Sequence, residues 1–347
     1  METLANTVWQ VLKDRYPEAL LLAYGGSNRG LIRWLPKAAW ILFLSLRRKS
    51  ADFVLIGDAA TYAFLYPVLR FARVRHATMV MGLDLTFHNR IYRAVAYRTI
   101  RRAPRVIAIS EATADTAREI GVPADAIRVI RPGLPVPPFV PHMKSEARTA
   151  LAASLSIDHD SVLALSLGRL VKRKGVTWFV LNVLPRTDAR VHYVVAGTGP
   201  EFDVIKKMSE RADVANRVHL LGSVDDALRD RLLYGCDMLV QPNILVPNDV
   251  EGFGLVMIEA TLRGTPVLAA GLQGIKDAVV DGVTGQLLPS GADSEWVRMM
   301  NEWCRDRQEL ASLGQRFRAR AIELYSQERM GRELLNEIVI TPGAHNS

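Results

Sequence analysis

Two stretches of this 347-residue sequence bring together the charges and glycines from which anion chemistry can be built. The first is Gly168-Arg169-Leu170-Val171-Lys172-Arg173-Lys174-Gly175, where Arg169 and Lys174 stand five residues apart between two glycines. Cations on a loop whose glycines open the backbone suit a diphosphate. A solvated basic turn has the same pattern. The second stretch is Glu251-Gly252-Phe253-Gly254-Leu255-Val256-Met257-Ile258-Glu259-Ala260. Gly252 and Gly254 allow close backbone approach and precede a helical pattern, whose first amides would point at an anion. Glu251 lies before that helix. Glu259 lies about one turn inside it among Val256, Met257, Ile258 and Ala260, where an unpaired carboxylate is costly. Two vicinal ribose hydroxyls would donate to both oxygens of Glu259, with Glu251 on a second sugar. Two solvated helix glutamates are the plainer alternative, and the apolar neighbours of Glu259 count against it.

Such loops need strands behind them. Apolar runs at Leu20 to Ala23, Phe53 to Ile56, Thr78 to Met81, Val106 to Ile109 and Ile127 to Ile130 alternate with longer helical patterns. The alternation returns at Val162 to Leu167, Val191 to Ala196, Val218 to Leu221, Met238 to Gln241, Pro266 to Ala269 and Gly285 to Leu288. Short apolar strands separated by helices predict parallel sheets covered on both faces. The run PGLPVPPFVP from Pro132 to Pro141 can be neither helix nor central strand and reads as a linker. The expected architecture is α/β: two doubly wound, Rossmann-like domains facing a cleft, over 1–140 (with the linker at 132–141) and 142–325. A helical tail, Glu328 to Val339 within 326–347, is free to pack back on the first domain. In open parallel sheets ligands bind beyond the carboxyl ends of the strands, which is where both charged stretches fall.

Composition narrows the class. Hydrophobic residues at 49% and charged ones at 23% describe an ordinary globular chain. Cys236 and Cys304 are too few for a disulfide framework and read as packed thiols in a reducing, cytoplasmic compartment. The opening METLANTVWQ has no signal-peptide pattern, and the most apolar stretch, Ala38 to Leu46, is too short to cross a bilayer. His76, His142, His159, His192 and His219 show no metal-ligand spacing, so no metal and no cofactor is expected. Ser110 lacks nucleophile-elbow glycines and suits a helix cap. The net charge of +8 is uneven: 20 Lys and Arg against 10 Asp and Glu up to residue 140, then 24 against 26. Arg47, Arg48 and Lys49 after the segment holding Trp34 and Trp40, and the series from Arg90 to Arg105, fit contact with an anionic membrane; a buried helix with a solvated cationic end is the alternative. No nucleic-acid motif accompanies the charge.

The glutamates Glu251 and Glu259 inside EGFGLVMIEA, followed by GTPVLA and preceded in order by GRLVKRKG, VVAGTGPE, VHLLGSV and CDMLVQP, resemble the retaining glycosyltransferases of family 4. The resemblance is dense over 105–290. It implies a GT-B fold, a UDP- or GDP-sugar donor held by the C-terminal domain, a glycan or lipid-linked acceptor held by the N-terminal domain, and transfer without metal. Carried over by position, Arg169 and Lys174 bind and stabilise the leaving diphosphate, Glu251 touches the donor sugar and Glu259 the ribose. The backbone of Gly252, Phe253, Gly254, Leu255 and Val256 cradles hydroxyls and phosphates, and Leu221 and Gly222 lie beside the base. The implied activity is transfer of a hexose (mannose, glucose or an N-acetylhexosamine) in bacterial cell-surface polysaccharide or lipopolysaccharide synthesis, on the inner face of the plasma membrane. Two departures stand out. The family's His-Gly-x-Asp is Met81-Gly82-Leu83-Asp84 here, with His88 as a stand-in and Asp84 retained as a substrate-binding candidate. The family's first strand and Gly-Gly loop have no counterpart before Met1-Glu2-Thr3-Leu4, so the first domain is expected to lack its first strand, through a late start or a real loss. These departures leave room for a catalytically silent nucleotide-sugar-binding partner; an epimerase is a third reading without a dedicated acid and base pair.

Overall fold

Most of the expected apolar runs form parallel strands. The computed structural model describes residues 2–24, 28–87, 89–247, 249, 251–272 and 274–340 and divides into two units, Met1–Pro135 with Gln327–Ser347, and Val136–Ser326. The first unit runs α1 (Glu2–Arg15), α2 (Asn28–Arg47), β1 (Phe53–Ile56), α3 (Ala59–Ala72), β2 (Arg75–Val80), α4 (Leu83–Thr86), α5 (Arg90–Ile100), β3 (Val106–Ala108), α6 (Glu111–Glu119) and β4 (Ile127–Val129). Its strands pair in parallel in the order β1-β2-β3-β4. Leu42 of α2, Tyr62 and Leu69 of α3, Ile100 of α5 and Ala114 of α6 share one buried cluster with Ile56, Val80 and Val106, so these helices cover one face of the sheet. Their starts are fixed by side chains that accept the third amide onward: Asp58 from Thr61, Asn89 from Tyr92 and Ser110 from Thr113.

One expected strand is absent. Leu20 to Ala23 has no ladder partner and is not a strand, and Leu20 and Leu21 are exposed. Among the described residues no strand lies beyond β1 for that run to pair with, and an apolar run without a neighbour cannot complete its backbone hydrogen bonds as a strand. The Thr78 to Met81 expectation is displaced, since β2 begins at Arg75.

The second unit runs α7 (Pro141–Leu155), β5 (Val162–Leu167), α8 (Val176–Asn182), β6 (Val191–Ala196), α9 (Phe202–Ser209), β7 (Val218–Gly222), α10 (Asp226–Gly235), β8 (Met238–Gln241), α11 (Leu255–Leu262), β9 (Val267–Ala270), α12 (Ile275–Ala278), β10 (Gln286–Leu288), α13 (Asp293–Trp303) and α14 (Arg307–Tyr325). The parallel order is β10-β9-β8-β5-β6-β7. Every residue of β5, β8 and β9 is buried, which is why these strands read as continuous apolar runs rather than alternating ones. The order reverses between β5 and β8, and that switch point is where the connections diverge and leave a crevice.

The proline run straddles the unit boundary. The Leu134 carbonyl accepts from Gln327 in the first unit, whereas the Pro137 and Pro138 carbonyls accept from Arg318 and Tyr234 in the second. The chain then returns to the first unit as α15 (Gln327–Ile340), which packs on α1. Glu337 of α15 meets Arg105 at 3.0 Å and Arg128 at 3.5 Å, and Arg75 donates to the Val339 carbonyl at 2.8 Å.

Candidate functional site

At the switch point the loop after β5 holds Gly168 to Gly175 and the loop after β8 runs from Pro242 to Gly254. The two are zipped together: the Ile244 amide donates to the Arg173 carbonyl at 2.9 Å. Gly175, at φ 67°, sits so close to the Pro242 carbonyl that a Cβ there would collide with it. The consequence is a cluster of charges. Lys174 Nζ lies 2.8 Å from Glu251 Oε2, Arg173 Nε 3.4 Å from the same oxygen, and Asn243 Nδ2 donates to it at 3.2 Å. The Lys174 and Glu251 side chains are only 13% and 12% exposed. Burial pushes the Glu251 carboxyl up, but the charge and hydrogen bond of Lys174, then Arg173 and Asn243, outweigh it and hold the group below the usual carboxylate range. Arg173 also reaches Asp249 at 2.9 Å, and Ser290 donates to the Asn243 carbonyl at 3.0 Å, so the Glu251 loop is braced from two sides. Arg169 is exposed and lines, with Gly168, Lys174 and Gln241, a small recess at the ends of β5 and β8.

The segment after Glu251 leads into α11. Gly254 takes φ 83° and caps the helix without a side-chain bond, so among the described residues no capping side chain takes up the first amides of α11. Phe253 is buried edge-on to Tyr325, 6.5 Å between ring centres, which fixes the backbone between Gly252 and Gly254. Glu259, on the second turn of α11, is buried and paired with Arg229 of α10. The costly lone carboxylate expected from its apolar neighbours is thus compensated within the protein, and a ribose would compete with or join a guanidinium already there. Leu221 and Gly222 close β7 at the same carboxyl end of the sheet, with the Gly222 carbonyl accepting from Gly197 at 2.7 Å.

Asp84 belongs to the first unit. Its Oδ2 accepts from the Ala59 amide at 3.0 Å and its Oδ1 from the Met81 amide at 2.9 Å, so the carboxylate ties the ends of β1 and β2 together. Burial raises its pKa, the backbone amides oppose this, and Asp58 adds to the rise. Met81 is half-buried, and His88 lies outside the described residues.

The structure therefore joins Lys174 directly to Glu251, sets Arg169 on the same loop, and puts Glu259 on a separate helix with its own cation. Sequence reading overlooked Arg173, Asn243, Asp249 and Arg229. Arg173 was visible within KRKG. Nothing in the helix pattern around Arg229 marks it as the partner of a glutamate thirty residues on.

Comparison with known proteins places the chain in a family. Residues 147–320 match the model of the glycosyl transferases group 1, and residues 15–136 that of Glycosyltransferase Family 4. An uncharacterised glycosyltransferase of Methanocaldococcus jannaschii is 26% identical over 218 residues, 60% of this chain and 54% of that one. The D-inositol 3-phosphate glycosyltransferase of Gordonia bronchialis is 28% identical over 231 residues, 65% of this chain and 50% of the other. The chain thus spans about half the length of the curated relatives it matches. Among solved structures, Anabaena HepE in complex with UDP superposes with a TM-score of 0.75 at 21% identity, covering 95% of this chain and 89% of that one. Sucrose-phosphate synthase from Thermosynechococcus elongatus gives 0.72 at 20%, covering 92% and 80%. With half of its length under one model and most of its first unit under the other, the chain belongs to the family 4 group 1 glycosyl transferases and has a GT-B fold.

Proposed function

We propose that the chain is a retaining hexosyltransferase that works without a metal ion, moving mannose, glucose or an N-acetylhexosamine from a UDP- or GDP-sugar to a lipid-linked glycan in bacterial surface polysaccharide or lipopolysaccharide synthesis. The observation that carries this is the Lys174–Glu251 contact at the switch point of the second unit, beside the recess lined by Arg169. Arg169 and Lys174 would meet the diphosphate, and their charge would count most as negative charge builds on the departing oxygen. The bond from the sugar C1 to that oxygen breaks and the bond from C1 to the acceptor oxygen forms on the same face. The acceptor proton passes to the phosphate oxygen, so no side-chain nucleophile is required. Glu251, kept ionised by Lys174 and Arg173, would accept hydroxyls of the donor sugar, and the uncapped start of α11 would take hydroxyls or phosphate oxygens. The solved structures of Anabaena HepE with UDP-glucose and with UDP and glucose support a nucleotide-sugar donor by analogy.

A silent nucleotide-sugar-binding role is favoured by one observation, Met81 where the family has histidine. Thermal shifts of the purified chain with UDP, GDP and ADP, followed by release of nucleoside diphosphate from the matching sugar, separate the readings. A ligand at about 100 times its dissociation constant adds ~2.7 kcal/mol. A shift with one base plus turnover supports the transferase, a shift without turnover supports the silent partner, and no shift with any base removes both.

A further inference from the structure

Within the switch-point cluster, one donor of Arg173 is unsatisfied. The guanidinium is anchored on one side by Asp249, with Nη1 2.9 Å from Oδ1. The main chain is anchored as well, since the Arg173 carbonyl accepts from the Ile244 amide at 2.9 Å. Yet Arg173 Nε is buried and, among the described residues, has no hydrogen-bond partner. Glu251 Oε2 lies 3.4 Å from it, and that oxygen already takes Lys174 Nζ at 2.8 Å and Asn243 Nδ2 at 3.2 Å. A buried donor that makes no bond is costly, so one held in place by two other contacts calls for a reason.

The reason lies in what Lys174 has to do. A lysine that turns to a diphosphate gives up its carboxylate. Glu251 is only 12% exposed, and with Lys174 withdrawn the oxygen it vacates would keep the neutral amide of Asn243. Burial then weighs against the charged form. Of the three groups that reach this oxygen, Arg173 alone would still carry charge. Its Nε needs to move by roughly half an ångström to reach the length of a charge-assisted hydrogen bond. Asp249, on the turn closed by the bridge between Val246 and Asp249, holds the other end of the fork meanwhile. A lysine at this position, with one nitrogen, could not serve both carboxylates in that geometry.

We propose that Arg173 is a positioning residue whose Nε–H takes the Glu251 oxygen that Lys174 releases when the donor diphosphate binds, so that Glu251 stays ionised and in place for the donor sugar. Arg173 Nε is unsatisfied because its acceptor is engaged by Lys174, and the bond is made when the two cations change places. This role rests on the transfer reading, in which Lys174 meets the diphosphate.

Calorimetric titration of the purified full chain with UDP and with GDP tests it. Arg173→Met is expected to weaken binding of the nucleotide that the native chain takes by about 10- to 100-fold, the scale of one hydrogen bond to a charged group. Glu251→Gln in the same background is expected to restore the affinity, because an amide needs no cation. Asp249→Asn, which slackens the brace and leaves Arg173 beside Glu251, is expected to bind as the native chain does. Loss of the Arg173 charge pulls the Glu251 carboxyl upward most where Lys174 has left it, in the bound enzyme. With the matching nucleotide sugar, the acid limb of kcat should therefore move to higher pH in Arg173→Met by more than the acid limb of kcat/KM. Failure of the native chain to bind either nucleotide would remove the transfer reading and this role with it. Unchanged binding in Arg173→Met, no recovery with Glu251→Gln, an equal loss in Asp249→Asn, or equal movement of the two limbs would overturn the positioning role alone.

Discussion

Replacing Lys174 with Met removes the cation 2.8 Å from Glu251 while keeping the length and most of the bulk of the side chain. The carboxylate then remains 12% exposed with Arg173 Nε at 3.4 Å and Asn243 Nδ2 at 3.2 Å. Breaking a buried pair by removing one member costs about 3–5 kcal/mol, and the partners left behind reduce this to ~2–3 kcal/mol at neutral pH. For a unit of this size that is a fall in melting temperature of about 5–10 °C. The loss has a distinctive pH dependence. In the native protein the Glu251 carboxyl is held below its ordinary value, so its stabilisation is present above the unfolded pKa of about 4.3 and is lost as pH falls through the folded value. In Lys174→Met, burial acts against a weaker opposition, the carboxyl is pulled upward, and protonation relieves the penalty as the pH drops. The gap between the two proteins should therefore close between about pH 7 and pH 4. Melting curves across that range, with Glu251→Gln and the double variant completing a cycle, measure the coupling. A gap that stays constant with pH, or two substitutions whose effects simply add, would refute the reasoning. With the matching donor the turnover of Lys174→Met should fall by about 10²–10³, the scale for losing one stabiliser of developing charge.

Glu251→Ala should reduce transfer far more than nucleotide affinity, whereas Glu259→Ala should chiefly weaken nucleotide binding; equal losses of both in both variants, read by calorimetry and product release, would undo the division of roles. Arg229→Ala leaves Glu259 buried without its guanidinium and should destabilise the second unit by ~3 kcal/mol, while Glu259→Gln in the same background recovers part of it in urea titrations. His192 Nδ1 and His219 Nε2 lie 3.0 Å apart, and burial first, then the neighbouring imidazole, pushes His219 down to about 4; burial and then Arg217 lower His192. Unfolded chains take these protons near pH 6.5, so the contribution is full above that pH and lost as pH falls toward 4, and His219→Gln should flatten the melting temperature over that window. Gly175→Ala meets both a positive φ and the Pro242 carbonyl and should cost at least ~2 kcal/mol, with nucleotide affinity falling as the β5 and β8 loops separate.

The sheets were legible because a fully buried parallel strand writes itself as an unbroken apolar run. Val162 to Leu167, Val191 to Ala196 and Met238 to Gln241 form strands with the expected bounds. Leu20 to Ala23 has the same local pattern, yet a strand also needs a neighbour, and pairing is not written in the run itself. The glycines and charges of the β5 and β8 loops were visible since each is contiguous in sequence. What brings Lys174 to Glu251 was not, because it depends on the order β8-β5 and on the zip between Ile244 and Arg173. Arg229 was hidden for the same reason: its role exists only once α10 and α11 lie side by side. Asp84 illustrates the converse, a motif residue whose oxygens hold backbone amides of β1 and β2 connections rather than standing open.

The return of α15 to the first unit has a temporal consequence. Arg105 and Arg128 precede the second unit in the chain, yet the carboxylate that meets them, Glu337, emerges from the ribosome only after the whole of that unit. Until then Arg105 lacks its carboxylate partner, and the surface of α1 that α15 packs on is open to chaperones or to other nascent chains. The second unit is contiguous and can fold as soon as its last helix is made. The first unit, although most of it is made first, is complete only after the second has been synthesised.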